Sequence, residues 1–349
     1  MQAKNFNARN KNTKNQVETK RAPADGVFPK DFYVTTNRET YVNYQGSWLQ
    51  VTGEEMDCAI AIRNNRAVTV TMQEVKQGEE IIIGNQGIKV KSLSPDKTSS
   101  RQGEFCFMNS EISAEKSKGE KIAGVAREMQ QLKNAGGNVT LVGGPAIVHT
   151  GAGDYLARLI EQGYINNLLA GNALAVHDIE SALFGTSLDS PINKGEKREQ
   201  HNFTNKENLR GMHMRAINRI RAAGSIKKAV EAGILQQGIM YEVIKNDVDY
   251  VLAGSIRDDG PLPDTITDTI KAQEKMKKIA QNSDLVLMLA TMLHSIATGN
   301  LLPARIKSVC VDINTDTVTK LADRGSSQAL GLVTDVELFL QSLTAKLEL

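Results

Sequence analysis

A chain of 349 residues, 40% hydrophobic and 23% charged, has the composition of a globular protein and length enough for two domains. A formal net charge of +2 gives no whole-chain footprint for nucleic acid or a membrane surface, and no apolar run approaches the roughly 20 residues that a membrane helix needs. Cys58, Cys106 and Cys310 are widely spaced in apolar surroundings with no CxxC, which argues against a disulfide framework or a zinc knuckle. With no secretory signal at the start, the expectation is a cytosolic protein without a metal site.

In chain order, residues 1–23 are Lys- and Asn-rich with little to bury, so a disordered tail is expected. Residues 24–135 are expected to form a small β-rich N-terminal α+β domain. Its strands are the runs beginning at Tyr41, Trp48, Ala67 and Ile81, separated by Gly- and Asn-containing turns. It ends in a helix over Glu111 to Ala135, where Ile122, Val125, Met129 and Leu132 recur at helical spacing. From 136 to 349 apolar runs alternate with helical patterns, which predicts an α/β domain with right-handed crossovers and a mostly parallel sheet. The predicted strands are Val139 to Gly143, Leu169 to Leu174, Tyr250 to Gly254, Leu285 to Ala290 and Ser308 to Ile313. The predicted helices are Asp154 to Gln162, Met214 to Ala223, Ile226 to Ala232, Thr265 to Ala280 and Val333 to Leu349, the last capped by Thr334 or Asp335. Residues 189–212 read as a polar surface insertion.

Ligands of open α/β sheets bind outside the carboxyl ends of the strands, so residues just past those ends are the candidates. After Val251-Leu-Ala-Gly, a loop stiffened by Gly260, Pro261 and Pro263 carries Arg257, Asp258 and Asp259; the alternative is a solvated turn. Gly143 and Gly144 follow another strand, where a backbone can approach a phosphate, although no GxGxxG is present. Asn172 and Ala173 end a third strand. His177, Asp178 and Glu180 follow as an acid/base cluster or as the polar edge of a buried helix face. Thr291, Met292, Leu293 and His294 follow the most apolar strand, and His294 is the histidine best suited to proton transfer unless it is structural. Asp312 and Asn314 end a late strand and suit a ribose hydroxyl, or else they cap a turn.

The strings GVFPKDFY, GNALAVHDIESALFGTSL, INRIRAAGSIKKAVE, GSIRDDGPLPD, MLATMLHSIATGN and VDINTDTVTKLADRGS together resemble one family. It carries the LOR/SDH conserved region, is associated with archaeal-type ornithine cyclodeaminase, and is similar to the C-terminal half of the fused arginine dihydrolase/ornithine cyclodeaminase enzymes. The resemblance runs from Ala24 to Leu349. More loosely, the strings DLVLMLATML and VCVDIN resemble the late strands of the deoxyhypusine-synthase/sirtuin type of NAD-binding fold. The family likeness implies a redox-neutral reaction: NAD+ takes a hydride from Cα of L-ornithine, the δ-amine displaces ammonia, and the hydride returns to give L-proline.

On that resemblance Arg257 would hold the substrate carboxylate, and Asp258, Asp259 or Asp178 would receive the amines, one of them as base, with His294 as the competing base. Gly143, Gly144, Asn172, Ala173, Thr291, Met292, Leu293, His294, Asp312 and Asn314 would hold NAD. Lys30, Asp31 and Asn37 would cover the site. A homo-oligomer is expected, with no nucleic-acid or membrane partner. The alternatives are a saccharopine-type or other amino-acid dehydrogenase and an NAD-sensing module without turnover.

Overall fold

The structure, a computed structural model, describes residues 15–91, 118–188, 190–191, 211–258, 260–323 and 329–349. The chain divides into two compact units, Met1–Asp96 with Asn300–Arg305, and Lys97–Gly299 with Ile306–Leu349.

The first unit is built on one seven-stranded mixed sheet: β1 (Glu18–Arg21), β2 (Thr40–Tyr44), β3 (Ser47–Thr52), β4 (Ala59–Arg63), β5 (Arg66–Val70), β6 (Glu80–Ile83) and β7 (Ile88–Val90). Their order is β1-β6-β4-β5-β3-β2-β7. Gln45 and Gly46 join β2 to β3, and Asn64 and Asn65 join β4 to β5, all four at positive φ, as two-residue hairpin turns require. Neighbouring residues point to opposite faces: Ala59, Ala61 and Ile81 pack in one apolar cluster, Ile60 and Ile82 in another. Both faces are therefore covered, which is why the run Ile81-Ile82-Ile83 shows no polar alternation.

Three expectations change here. The tail prediction fails for its last residues, because Glu18–Arg21 pair with β6 and Ala22 is buried; backbone pairing needs no apolar side chains, so composition did not show it. Residues 1–14 lie outside the described residues, as does Cys106. Strands β4 and β7 were not anticipated, since Ala59-Ile-Ala-Ile is short and Ala-rich.

The second unit opens with α1 (Lys118–Ala135), shorter than the predicted helix, whose residues 111–117 lie outside the described residues. Helix α1 packs on the C-terminal helix of this unit, although its sequence position suggested the N-terminal domain. Then follow β8 (Val139–Gly143), α2 (Ala146–His149), α3 (Gly153–Glu161), β9 (Asn167–Gly171), α4 (Asn172–Phe184), β10 (Thr186–Ser187) and β11 (Ser190–Pro191). After these come α5 (Met212–Ala223), α6 (Ile226–Glu231), α7 (Ile239–Lys245), β12 (Asp249–Ala253), β13 (Thr265–Ile266), α8 (Thr269–Gln281), β14 (Leu285–Leu289), α9 (Met292–Leu301), β15 (Lys307–Asp312), α10 (Thr315–Asp323), β16 (Ala329–Val333) and α11 (Val336–Lys346). Residues 192–210 of the predicted insertion lie outside the described residues.

Seven strands form a parallel sheet in the order β13-β12-β9-β8-β14-β15-β16. Leaving aside the two-residue β13, the chain order across the sheet reads 3-2-1-4-5-6, the Rossmann arrangement, with the reversal between β8 and β14. All five residues of β14 are buried, so its sequence is a continuous apolar run. Helix α4 begins at Asn172, two residues before the predicted strand end. Gly171 supplies the extended N-cap. Thr265 and Ile266 pair with β12 instead of opening α8, and Asp268 caps that helix by accepting from Ile270 N and Lys271 N. Val333 belongs to β16, and Asp335 caps α11. Helix α7 and strand β16 were not anticipated.

Candidate active site

At the reversal the turns after β8 and β14 press together. Gly144 N donates to Leu289 O at 3.0 Å, and a Cβ built on Gly144 would lie 1.9 Å from Ala290 O. Ala290 itself has φ 51. The glycine at 144 is thus demanded by the crossing of two backbones. Gly143 is similarly closed, with Leu174 Cδ1 2.7 Å from a built Cβ. Both lie at the switch point, where ligands of this fold bind, but protein packing alone accounts for their lack of side chains.

The next strand end supplies the more informative contact. A Cβ on Gly171, at the end of β9, would lie 2.8 Å from His294 Cε1 and 3.6 Å from its Nε2. His294, in the first turn of α9, therefore lies across the carboxyl end of β9. Burial holds its pKa below the ordinary value, so the ring is neutral at neutral pH. Neither ring nitrogen has a hydrogen-bond partner among the described residues, which suits a group that meets a ligand. Beside it Leu293 is 72% exposed, and Ile313, after β15, is 75% exposed. Thr291 and Met292 are half-buried at the same turn, and Ala173 is half-buried on α4. Apolar side chains left open at adjacent strand ends, next to the helix N-terminus of α9, fit a nucleotide with a flat base and an anionic linker.

Asp312 ends β15. Its Oδ1 accepts from Asn314 N at 2.8 Å, and Asn314 Oδ1 accepts from Asp316 N at 2.8 Å. The predicted turn-capping role is present at both residues. Asp312 Oδ2 has no hydrogen-bond partner among the described residues, so the carboxylate keeps an acceptor for a ligand hydroxyl. In the common Rossmann pattern a ribose carboxylate stands near the end of the second strand. Here that strand ends in Gly171, whose side-chain space His294 fills, and an acid, Asp312, ends β15 instead.

After β12, Asp258 is half-buried and Arg257 exposed. Asp258 Oδ2 accepts from Ser255 N at 2.8 Å, and its Oδ1 lies 3.3 Å from Ser255 Oγ. A Cβ on Gly254 would meet Asp258 Oδ2 at 3.6 Å, so the carboxylate is folded back over the end of β12. Asp259 lies outside the described residues. A Cβ on Gly171 would also lie 3.7 Å from Ala253 O, so His294 lies beside the end of the strand that leads into the Asp258 loop.

Two predicted site residues serve elsewhere. Asp178 is 3% exposed, and its two oxygens accept from Ile239 N at 2.8 Å and Met240 N at 2.7 Å. It caps α7 across 61 residues of chain, and a carboxylate so engaged is withdrawn from the proton-transfer role assigned to it. Asn172 is 4% exposed, with Oδ1 accepting from Leu262 N and Thr265 Oγ1 at 3.0 and 2.9 Å; its oxygen serves the loop, not the crevice. The other half of the predicted acid/base cluster is real but inward: His177 Nδ1 lies 3.0 Å from Oε2 of the fully buried Glu180. His149 stacks edge-on against His177 at 4.6 Å, and burial first, then His177, lowers its pKa. The sequence offered no signal for Asp264, which binds the Tyr250 hydroxyl, or for Arg221, which reaches Pro261 O. Among the described residues no group of three or more acidic, His or Cys side chains is arranged to hold a metal, and no helix is long and apolar enough to cross a membrane.

Residues 123–343 match the family model described as arginine dihydrolase ArgZ-like, C-terminal, Rossmann fold, and residues 39–122 match its C-terminal first region. The ornithine cyclodeaminase of Methanothermobacter thermautotrophicus is 51% identical over 333 residues, covering 94% of this chain and 78% of that protein. That of Methanocaldococcus jannaschii is 51% identical over 340 residues, 95% of this chain and 78% of that protein. The bifunctional arginine dihydrolase/ornithine cyclodeaminase AgrE of Nostoc is 45% identical over 93% of this chain, which spans 46% of that longer protein. A LOR/SDH protein from Methanococcus maripaludis superposes with a TM-score of 0.85 at 46% identity, over 95% of this chain and 98% of that one. The ternary complex of AgrE with ornithine and NAD+ matches at a TM-score of 0.60 and 42% identity, over 95% of this chain and 46% of that one. With both regions of the model present in order and about half the residues shared with the archaeal proteins, the chain belongs to the ornithine cyclodeaminase family of the ArgZ-like C-terminal type.

Proposed function

We propose that this protein is an NAD-dependent ornithine cyclodeaminase that converts L-ornithine to L-proline and ammonia. The observation that carries the reading is 51% identity over 94% of the chain to a protein of that name, and the Rossmann strand order gives the cofactor a place to bind. NAD+ supplies a hydride acceptor that returns the hydride, so the reaction leaves no net redox change.

The protein's own part is to bind, orient and move protons. Arg257 holds the substrate carboxylate, and Asp258 receives an amine, as Asp259 also would. His294, neutral and with ring nitrogens unpaired among the described residues, accepts a proton from the substrate amine. Gly143, Gly144, Ala173, Thr291, Met292, Leu293 and His294 line the cofactor, with Asp312 and Asn314 at a ribose. The finer likeness to the deoxyhypusine-synthase/sirtuin type of NAD site belongs to the same proposal, supported by an acid at the end of β15 in place of one after β9. A homo-oligomer in the cytoplasm completes it; the support for the compartment is the buried Cys310 thiol, unbridged among the described residues and pushed up to about 12 by burial.

The test is incubation with L-ornithine, with and without added NAD+, scoring proline, ammonia and NADH. Proline with stoichiometric ammonia and no lasting NADH is the expected result. NADH accumulating on ornithine or another amino acid would mark a dehydrogenase. NAD binding with no product from any basic amino acid would mark a sensing module.

A further inference from the structure

Between β12 and β13 the described residues of the crossing are 254–258 and 260–264, and these two halves are held differently. The second half is built into the unit. Leu262 is 1% exposed and sits in the apolar core. Pro261 O accepts from Arg221 Nη1 at 2.7 Å. Asp264 accepts from the Tyr250 hydroxyl at 3.0 Å and from Ile226 N at 2.9 Å. The first half carries Ile256, Arg257 and Asp258, and among the described residues its side-chain bonds are local, between Ser255, Arg257 N and Asp258. Gly260, at φ 101, opens the second half in a backbone region that side chains rarely adopt.

Asn172 ties this crossing to the strand ends. It is the first residue of α4, directly after the Gly171 against which His294 lies. Its Oδ1 takes both the Leu262 amide and the Thr265 hydroxyl, across 90 and 93 residues of chain. A buried amide is costly unless it is bonded, and these bonds join a site strand to the pinned half of the loop. Asn172 holds Leu262 and Thr265, and Arg221 holds Pro261, so the chain from Pro261 onward has a fixed start.

We propose that Asn172 is a positioning residue, which fixes the 254–264 crossing against the carboxyl end of β9 and so places Arg257 and Asp258 for L-ornithine. The inference rests on the role proposed above for Asp258. Asn172 touches no reacting atom in this account and acts through Leu262 and Thr265. A displacement of about 1 Å at such a segment is enough to cost on the order of 100-fold in rate.

The test uses the full-length protein and three variants, Asn172→Ala, Asn172→Asp and Thr265→Val. The readouts are kcat and KM for ornithine, the NAD+ dissociation constant, and hydrogen exchange across 254–265. Asn172→Ala is expected to lower kcat/KM about 10- to 100-fold, to leave NAD+ affinity unchanged and to speed exchange at the Leu262 amide. Thr265→Val should move the same readouts in the same direction by less, and it carries the comparison if Asn172→Ala fails to fold. Asn172→Asp should restore turnover, because a carboxylate oxygen accepts the same two bonds. NAD+ binding weakened in step with turnover, with exchange unchanged, would overturn the proposal and make Asn172 a cofactor ligand. Unchanged exchange and unchanged turnover would overturn it as well. Asp258→Asn separates the two claims: wild-type turnover there overturns the placement of Asp258 for substrate, whereas faster Leu262 exchange in Asn172→Ala still supports the anchor.

Discussion

Gly171 has φ −88 and ψ 163, an extended backbone open to any residue, so what excludes a side chain there is the His294 ring 2.8 Å from a built Cβ. Gly171→Ala is therefore expected to keep the fold and displace His294, with kcat falling at least about 10-fold and little change in Tm. An active variant with an undisturbed rate would remove His294 from the chemistry. The pH dependence of His294 has a definite sign. Burial lowers its pKa from 6.5, so it stays neutral and able to accept a proton down to below that value. The acid limb of kcat/KM should lie below pH 6.5, and His294→Asn should abolish that limb along with most of the rate; a limb above pH 6.5 would point to another group. The same shift means that protonation favours the unfolded chain, so this contribution to stability is present above pH 6.5 and is lost as pH falls below it. Asp312 Oδ2, without a partner among the described residues, is expected to bind a ribose hydroxyl, so Asp312→Ala should weaken NAD+ binding about 5- to 10-fold, the equivalent of one hydrogen bond. An unchanged dissociation constant would leave Asp312 as the turn cap alone.

At the scale of elements, what was legible followed from local pattern. The buried run Leu285–Leu289 reads as a parallel strand, and the ends of such strands are where His294, Asp258 and Asp312 are proposed to act. What was not legible depends on partners far along the chain. Asp178 looks like half of an acid/base pair until α7 supplies two amides to it from 61 and 62 residues away. Asn172 looks like the end of a strand because Leu169-Ala-Gly-Asn-Ala-Leu is apolar throughout, yet the extended Gly171 stops the strand and starts a helix. Thr265 and Ile266 sit inside a helical period, but β12 offers them a ladder. The β1 segment shows the same limit: polar residues 18–21 carry no apolar signal, and their backbone bonds to β6 hold them. Deletion of residues 1–22 is accordingly expected to lower Tm, by about 2–4 °C for each kcal/mol lost, as it uncovers the edge of β6 and removes the buried Ala22. An unchanged melting curve would show that the strand contributes nothing to stability.

For the molecule as a whole, the order of the strands decides where chemistry can occur. The sheet reverses between β8 and β14, and the turns beyond that reversal carry the glycines, the α9 N-terminus and His294. The β12 end, two strands along, carries Arg257 and Asp258, and the β15 end carries Asp312. The groups proposed for cofactor and substrate are thus spread over ends of one parallel sheet, although no GxGxxG is present; the close backbone approach here is between Gly144 and Ala290. The central claim is that the hydrogen at Cα of ornithine leaves and returns within one turnover. L-ornithine deuterated at Cα tests this most directly. The account predicts proline that retains deuterium at Cα, with one ammonia for each proline and no deuterated NADH released. Proline carrying solvent hydrogen at Cα, or deuterium recovered in free NADH, would contradict it.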